Sequence, residues 1–312
     1  MADELPERLL EVLDRIAQSL EAIEQELRLW REAGLSVNER RTPEEENSAK
    51  ASETDSEVTS REEQPFPEDL LRSWLGVRGL TLQHVTHLNL EEEPWDWFAR
   101  FLGNRFEHLC SFYERWKRAL SLRQSFSLEL RTAPPQQISD IVQFALRLKE
   151  ASLIVDYQYY RSARMIRVMP AFSSDIIKFV TGGWLERYVG RLLWDMVKEM
   201  SLNPAQFFVF LNIQLLLPNQ QQTELDLLAL YQNQALWLES KTGDYSSSVE
   251  RWQQNSVYLQ LPATHAGIVL LEFPSPTAQQ MLKQRTGMQV LSLNTLPEFL
   301  RNVMQSWITQ TA

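Results

Sequence analysis

The chain has 312 residues, 44% of them hydrophobic, with ten Trp and one Cys. That length leaves room for two or three units with packed interiors. The one long uncharged apolar stretch, 204–217, is too short to cross a bilayer, and residues 1–30 are acidic and amphipathic with no secretory h-region, so the reading is a cytoplasmic protein with no membrane partner. Cys110 has no second cysteine to pair with, and its helical neighbours Phe106, Leu109 and Tyr113 predict a buried, inert thiol.

The net charge of −10 argues against a nucleic-acid partner until it is divided. Residues 1–65 hold 8 Lys and Arg against 18 Asp and Glu, residues 66–180 hold 15 against 13, and residues 181–312 hold 8 against 10. The whole excess lies in the N-terminal arm. A cation held by site carboxylates would outweigh the small deficit of the last segment.

In chain order, Leu9, Leu13, Ile16, Leu20, Ile23, Leu27 and Trp30 alternate four and three apart, the seam of a coiled coil over residues 1–35. This predicts a homodimer, the alternative being a helix packed on its own chain. Residues 36–65 lose nearly all large apolar side chains and read as a disordered acidic linker. Residues 66–180 read as a mixed, winged-helix-like module: a short helix at Leu70–Leu75, a β-like run at Leu80–Leu90, one long helix Trp95–Leu120, a strand Ser125–Leu130, a helix Ile138–Glu150, and two β runs, Leu153–Tyr160 and Arg164–Met169. Residues 181–312 predict a helix Gly183–Met200, strands at Gln206–Leu217, Glu224–Tyr231 and Ala235–Lys241, a helix near Ser247–Gln254, a strand Gly267–Phe273, a helix Thr277–Lys283, a strand Gln289–Leu293 and a last helix Leu296–Gln305.

The chemistry centres on the hairpin from Thr223 to Gly243. Residues two apart on a strand share a face, which pairs Glu224 with Asp226 and Glu239 with Lys241. A turn at Gln232-Asn233 sets Asp226 opposite Glu239 and Glu224 opposite Lys241. Two opposed carboxylates repel unless a cation lies between them, and Mg²⁺ or Mn²⁺ suits oxygen ligands. Glu186 opens a helix whose positions three, four and seven later are Val189, Gly190 and Leu193, so a charge lies on or beside the core stripe. In this reading the metal polarises a phosphate, Lys241 serves the attacking water and the developing charge, and the Ser240 carbonyl adds an oxygen.

Gly183-Trp184-Leu185-Glu186, then Glu224-Leu225-Asp226, then Leu238-Glu239-Ser240-Lys241-Thr242-Gly243 resembles one branch of the PD-(D/E)XK nuclease superfamily. That branch is the nuclease domain of CRISPR-associated-Rossmann-fold effectors and their relatives of unassigned function. The resemblance covers roughly residues 180–312. It implies an α/β (α+β overall) chain with a C-terminal αβββαβ restriction-endonuclease-like core, metal ligands Glu186, Asp226 and Glu239, and a catalytic Lys241. The implied activity is a metal-dependent endonuclease on DNA or RNA, in antiviral defence or nucleic-acid processing. Residues 1–65 show no βαβ array, so the resemblance does not extend to the Rossmann sensor domain or to a cyclic-nucleotide activator.

Arg161, Arg164 and Arg167 are candidate phosphate contacts. His84 and His87 are expected to be structural. The competing reading is a catalytically silent nucleic-acid-binding or coiled-coil scaffold protein with a nuclease-like fold.

Overall fold

The computed structural model describes residues 67–89 and 93–311, and all of these belong to one unit. The coiled-coil helix expected over 1–35 and the linker over 36–65 lie outside the described residues. No helix among the described residues is long and apolar enough to cross a membrane.

The chain enters through α1 (Pro67–Gly76), whose first turn carries Glu68 and Asp69 where the helix dipole favours acids. Strand β1 (Thr81–His87) follows. The long helix expected from Trp95 to Leu120 is two helices, α2 (Pro94–Asn104) and α3 (Phe106–Leu122), broken at Arg105 (φ −122°, ψ 24°). Gly103 and Asn104 are poor helix formers at the break. Gly103 also has a packing reason: a Cβ there would meet the Tyr188 ring at 2.4 Å. Cys110, expected to be buried, is exposed, because it lies one position round from the buried Leu109, Phe112, Tyr113 and Trp116. Next come β2 (Phe126–Glu129), α4 (Pro135–Glu150), β3 (Ile154–Tyr160) and β4 (Met165–Pro170). These strands form an antiparallel sheet of order β2-β4-β3.

A short helix, α5 (Ser174–Lys178), not expected from the sequence, runs through a π-turn, Phe179–Gly183, into α6 (Trp184–Glu199). Then follow β5 (Phe207–Leu216), β6 (Gln222–Tyr231), β7 (Gln234–Lys241), α7 (Val249–Leu259), β8 (Ala266–Leu270), α8 (Pro276–Thr286), β9 (Gln289–Leu291) and α9 (Leu296–Thr311). From α6 to β8 the main elements run α-β-β-β-α-β, the expected order.

The six-stranded sheet has the order β1-β5-β6-β7-β8-β9, antiparallel from β1 to β7 and parallel from β7 to β9. Residues assigned from sequence to two modules, 66–180 and 181–312, thus share one unit, and β1 pairs with β5 at the sheet edge. Both faces of the sheet are covered, which explains the nearly continuous apolar run of β6. One face belongs to a core shared with α6 and α9, in which α2 and α3 pack on α6 and α4 packs on α3. The other packs on α1, α7 and α8.

Candidate active site

The hairpin of β6 and β7 turns at Gln232-Asn233, with Gln232 left-handed at φ 54°. Its register is the expected one, from Tyr231 opposite Gln234 to Leu227 opposite Leu238. There the regular ladder ends, one rung short of Asp226 and Glu239.

The physical reason is a local inversion of both neighbouring strands. On β5, Val209 and Leu211 face the α6 layer, whereas Ile213 and Leu215 face the α7 layer. On β6, Leu227 and Ala229 face the α6 layer, whereas Leu225 faces the α7 layer. Strict alternation would keep residues two apart on one face. The switch falls at Asn212, which is left-handed (φ 51°), and at Asp226 beside it between the paired residues Leu211–Leu227 and Ile213–Leu225. The twist leaves backbone donors for the side chains that follow. The Asp226 N–H donates to Glu239 Oε1 at 3.2 Å, and the Ser240 N–H donates to Asp226 Oδ2 at 2.8 Å. The two carboxylates therefore replace a rung of the ladder.

Glu239 shares its strand face with Trp237 and is fully enclosed. Besides Asp226, its oxygens accept from Trp237 Nε1 (2.9 Å), Trp252 Nε1 (2.6 Å) and Arg251 Nη2 (3.2 Å). Burial pushes its carboxyl up to about 8, with the charge of Asp226 adding to this and Arg251 and the two indoles opposing it. The carboxylate is thus held on the α7 side of the sheet.

Glu186 lies in the first turn of α6, next to the π-turn, and is half-buried. Burial pushes its carboxyl up to about 7; Asp226 raises it further, Lys241 draws it back, Glu224 raises it and Arg187 lowers it. Glu186, Asp226, Lys241 and Glu224 therefore share one electrostatic neighbourhood. Glu186 also lines a cleft of about 660 Å³ with Thr86, His87, Lys178, Arg187 and Asn212.

Two sets of bonds fix this arrangement. The buried Asp96 of α2 takes Arg191 Nη2 at 2.5 Å and Arg187 Nη1 at 3.2 Å, tying α2 to the helix that carries Glu186. Burial alone would raise the Asp96 carboxyl, but the bonds to Arg191 and to the Glu93 N–H win and lower it. At the end of β7, Thr242 Oγ1 donates to the Thr181 carbonyl at 2.5 Å, while Lys117 Nζ of α3 donates to the Thr242 carbonyl at 2.7 Å. The π-turn before Glu186 and the residue after Lys241 are thereby locked together.

The remaining candidates fall elsewhere. Arg161 and Arg164 lie at the β3–β4 turn and Arg167 on β4, in the other sheet. Arg164 is left-handed (φ 44°) and donates to the Arg131 carbonyl at 3.1 Å. Among the described residues no three His, Cys, Asp or Glu side chains are gathered as metal ligands.

No protein family and no curated protein matches this sequence. Among solved structures it is similar to protein VC1899 from Vibrio cholerae, at 16% identity and a TM-score of 0.48, over 76% of this chain and 60% of that one. It is also similar to Can2 from Sulfobacillus thermosulfidooxidans, solved with cyclic tetra-adenylate, at 16% identity and a TM-score of 0.49, over 76% of this chain and 61% of that one. The chain thus spans about three-fifths of each. Neither likeness assigns an activity to it.

Sequence reasoning missed Asn212, Arg251 and Trp252 around the site. Trp237 carried a usable signal, since it lies two residues before Glu239 and must share its face. Arg251 and Trp252 carried none, because their approach depends on how α7 returns over the sheet.

Proposed function

We propose that the chain is a divalent-metal-dependent endonuclease that hydrolyses phosphodiester bonds of DNA or RNA. The observation that carries this reading is Glu186, a half-buried carboxyl on a helix at the edge of a cleft, whose pKa is raised first by burial and then by Asp226, with Lys241 opposing. Perturbed carboxyls with a lysine beside them at the edge of a cleft are the material of a hydrolytic site. The α-β-β-β-α-β order and the sequence resemblance support the same class.

The donors suit Mg²⁺ or Mn²⁺ in part. Glu186 and Asp226 offer neighbouring carboxylate oxygens whose mutual repulsion a cation would relieve. Glu239 offers no such oxygen while both of its own are held by indole, guanidinium and backbone donors. Glu186 and Asp226 would hold the metal, which when bound supplies an activated water and polarises the phosphate. Glu239 holds the Asp226 backbone from behind, and the Ser240 N–H fixes one Asp226 oxygen. Lys241 neutralises charge that develops on the phosphate. Glu224 adds negative potential at Glu186.

The test is a cleavage assay on DNA and RNA, single- and double-stranded, with Mn²⁺, Mg²⁺ or EDTA. Cleavage with metal and none in EDTA is expected; equal cleavage in EDTA removes the assignment. The enclosure of Glu239 favours a second reading, a silent nucleic-acid-binding scaffold, and this predicts binding without cleavage in every condition. The proposal includes a cytoplasmic homodimer formed through residues 1–35. Light scattering of the full chain and of a chain lacking those residues checks this, and equal masses remove that part.

A further inference from the structure

A second polar cluster lies outside this site. Asp140 of α4 is buried, its side chain 4% exposed. It accepts from His108 Nδ1 at 2.6 Å and Gln136 Nε2 at 3.1 Å, and it lies 3.5 Å from Arg105 Nε. Gln137 Nε2 donates to the His108 carbonyl at 3.0 Å, and the Arg105 guanidinium stacks on Phe101 at 4.3 Å. One buried carboxylate thus holds His108 by a hydrogen bond and Arg105 by an ion pair, and both basic side chains stay partly exposed.

The choice of atoms matters. With Nδ1–H directed at Asp140, His108 presents Nε2 outward. Arg105 approaches Asp140 through Nε as an ion pair, which leaves its two terminal Nη groups for another partner. Both residues line a cleft of about 510 Å³ together with Asn104, Ser292 and Asn294. Glu107 lines it too, with its carboxylate accepting from Asn294 Nδ2 at 3.2 Å. Leu270 and Leu271 also line it; Leu270 pairs with Lys241, and the Leu271 N–H donates to the Lys241 carbonyl at 3.2 Å. The cleft therefore opens one strand over from the proposed catalytic lysine.

We propose that this cleft is a phosphate-binding site in which the Arg105 Nη groups, and the Nε2–H of His108 in its imidazolium form, donate to the oxygens of one phosphate group. A guanidinium fork matches phosphate geometry, and an imidazolium oriented by Asp140 adds a directed donor. The cleft has volume beyond a bare phosphate, so the group arrives free or carried on a nucleotide. If Asp140 served only to tie α3 to α4, the outward atoms of both bases would have no ligand preference.

The experiment uses the full chain without divalent metal, so cleavage does not enter, and the outcome is independent of the nuclease reading. Histidine ring resonances are followed by NMR, with His108 assigned from the His108→Gln protein. The probes are inorganic phosphate, thymidine 5′-monophosphate and thymidine, at one ionic strength. Saturable shifts of the His108 resonances with both phosphates and none with thymidine are expected. Tighter binding of the nucleotide identifies a nucleotide phosphate as the ligand, and equal binding identifies free phosphate. Arg105→Gln should weaken binding roughly tenfold or more, as loss of a charge-assisted bond does. Arg105→Lys keeps the charge without the fork and should fall between the two, which covers a Gln protein that fails to fold. No saturable shift with either phosphate, an equal shift with thymidine, or unchanged affinity in the folded Arg105 variants overturns the proposal.

Discussion

On the α7 side of Asp226, Glu239 is fully enclosed, with both oxygens held by donors from two indoles, an arginine and a backbone N–H. On the α6 side, Glu186 is half-buried at a cleft, and burial and the same Asp226 raise its pKa, opposed by Lys241 and Arg187. The two carboxyls differ less in charge than in who satisfies them. A carboxylate whose lone pairs are filled by the protein is part of the scaffold. One whose charge is left to be balanced is where an external cation is needed. The largest consequence should appear at Lys241, which balances the open side. Lys241→Ala should lower cleavage on the order of a hundredfold or more while leaving the melting temperature unchanged. A variant that cleaves like the parent removes the open side as the centre of chemistry.

The enclosed side should respond in stability. Trp252→Phe keeps most of the packing but removes the 2.6 Å donor to Glu239. Leaving a buried carboxylate short of a donor costs about 1–3 kcal/mol. Chemical denaturation should read this loss in EDTA, where no metal contributes. Unchanged stability would mean that the carboxylate does not need the indole and that the two sides differ less than their hydrogen bonds imply.

The two carboxyls also carry a pH signature. Both are raised above the ordinary 4.5, to about 7 for Glu186 and about 8 for Glu239. The folded chain therefore keeps these protons at pH values where the unfolded chain has lost them. Stability from this source is fully present below about 4.5 and falls as pH rises toward 8. A group that binds its proton more tightly in the folded chain than in the unfolded one makes stability fall as pH rises through this window. Glu239→Gln should flatten the dependence of melting temperature on pH across this window. Parallel curves for parent and variant would show that Glu239 is already ionised, held by its donors.

The sequence made some of this legible and not the rest. The register of the β6–β7 hairpin followed from the turn at Gln232-Asn233, and the order of elements from α6 onward followed from apolar patterning. The face of Glu239 was legible in principle from Trp237, but its partners were not, because Arg251 and Trp252 meet it only through tertiary packing. The inversion at Asn212 and Asp226 was invisible, since both strands read as ordinary alternation through apolar residues on two covered faces. A seven-residue β-like run such as Thr81–His87 carries no statement of which strand it will join, so its place beside β5 was not foreseen. The break at Arg105 was marked by Gly103 and Asn104, but only the Tyr188 ring gave that glycine its reason.

Glu224 tests the contrast most finely, because it acts on the open side alone. It pairs with Gln214 across the β5–β6 ladder and is half-buried. It raises the pKa of Glu186 but ranks behind burial, Asp226 and Lys241 in effect. Glu224→Gln removes one negative charge and keeps the shape, so the Glu186 carboxyl should move down from about 7 toward its ordinary 4.5, though only part of the way. If cleavage needs Glu186 ionised, the acidic limb of the pH–rate profile should move to lower pH by roughly a few tenths, and the plateau rate should change by less than about threefold. That is a smaller effect than any substitution of Asp226 or Lys241 should give. The Glu239 side should not notice, so the melting curves of parent and variant should keep the same pH dependence between about 7 and 9, where Glu239 titrates. A plateau loss as large as that of Lys241→Ala would make Glu224 a direct participant. An unmoved acidic limb would mean that Glu186 is not the group whose ionisation sets the rate, and the contrast between an open and a closed carboxyl would then describe folding alone.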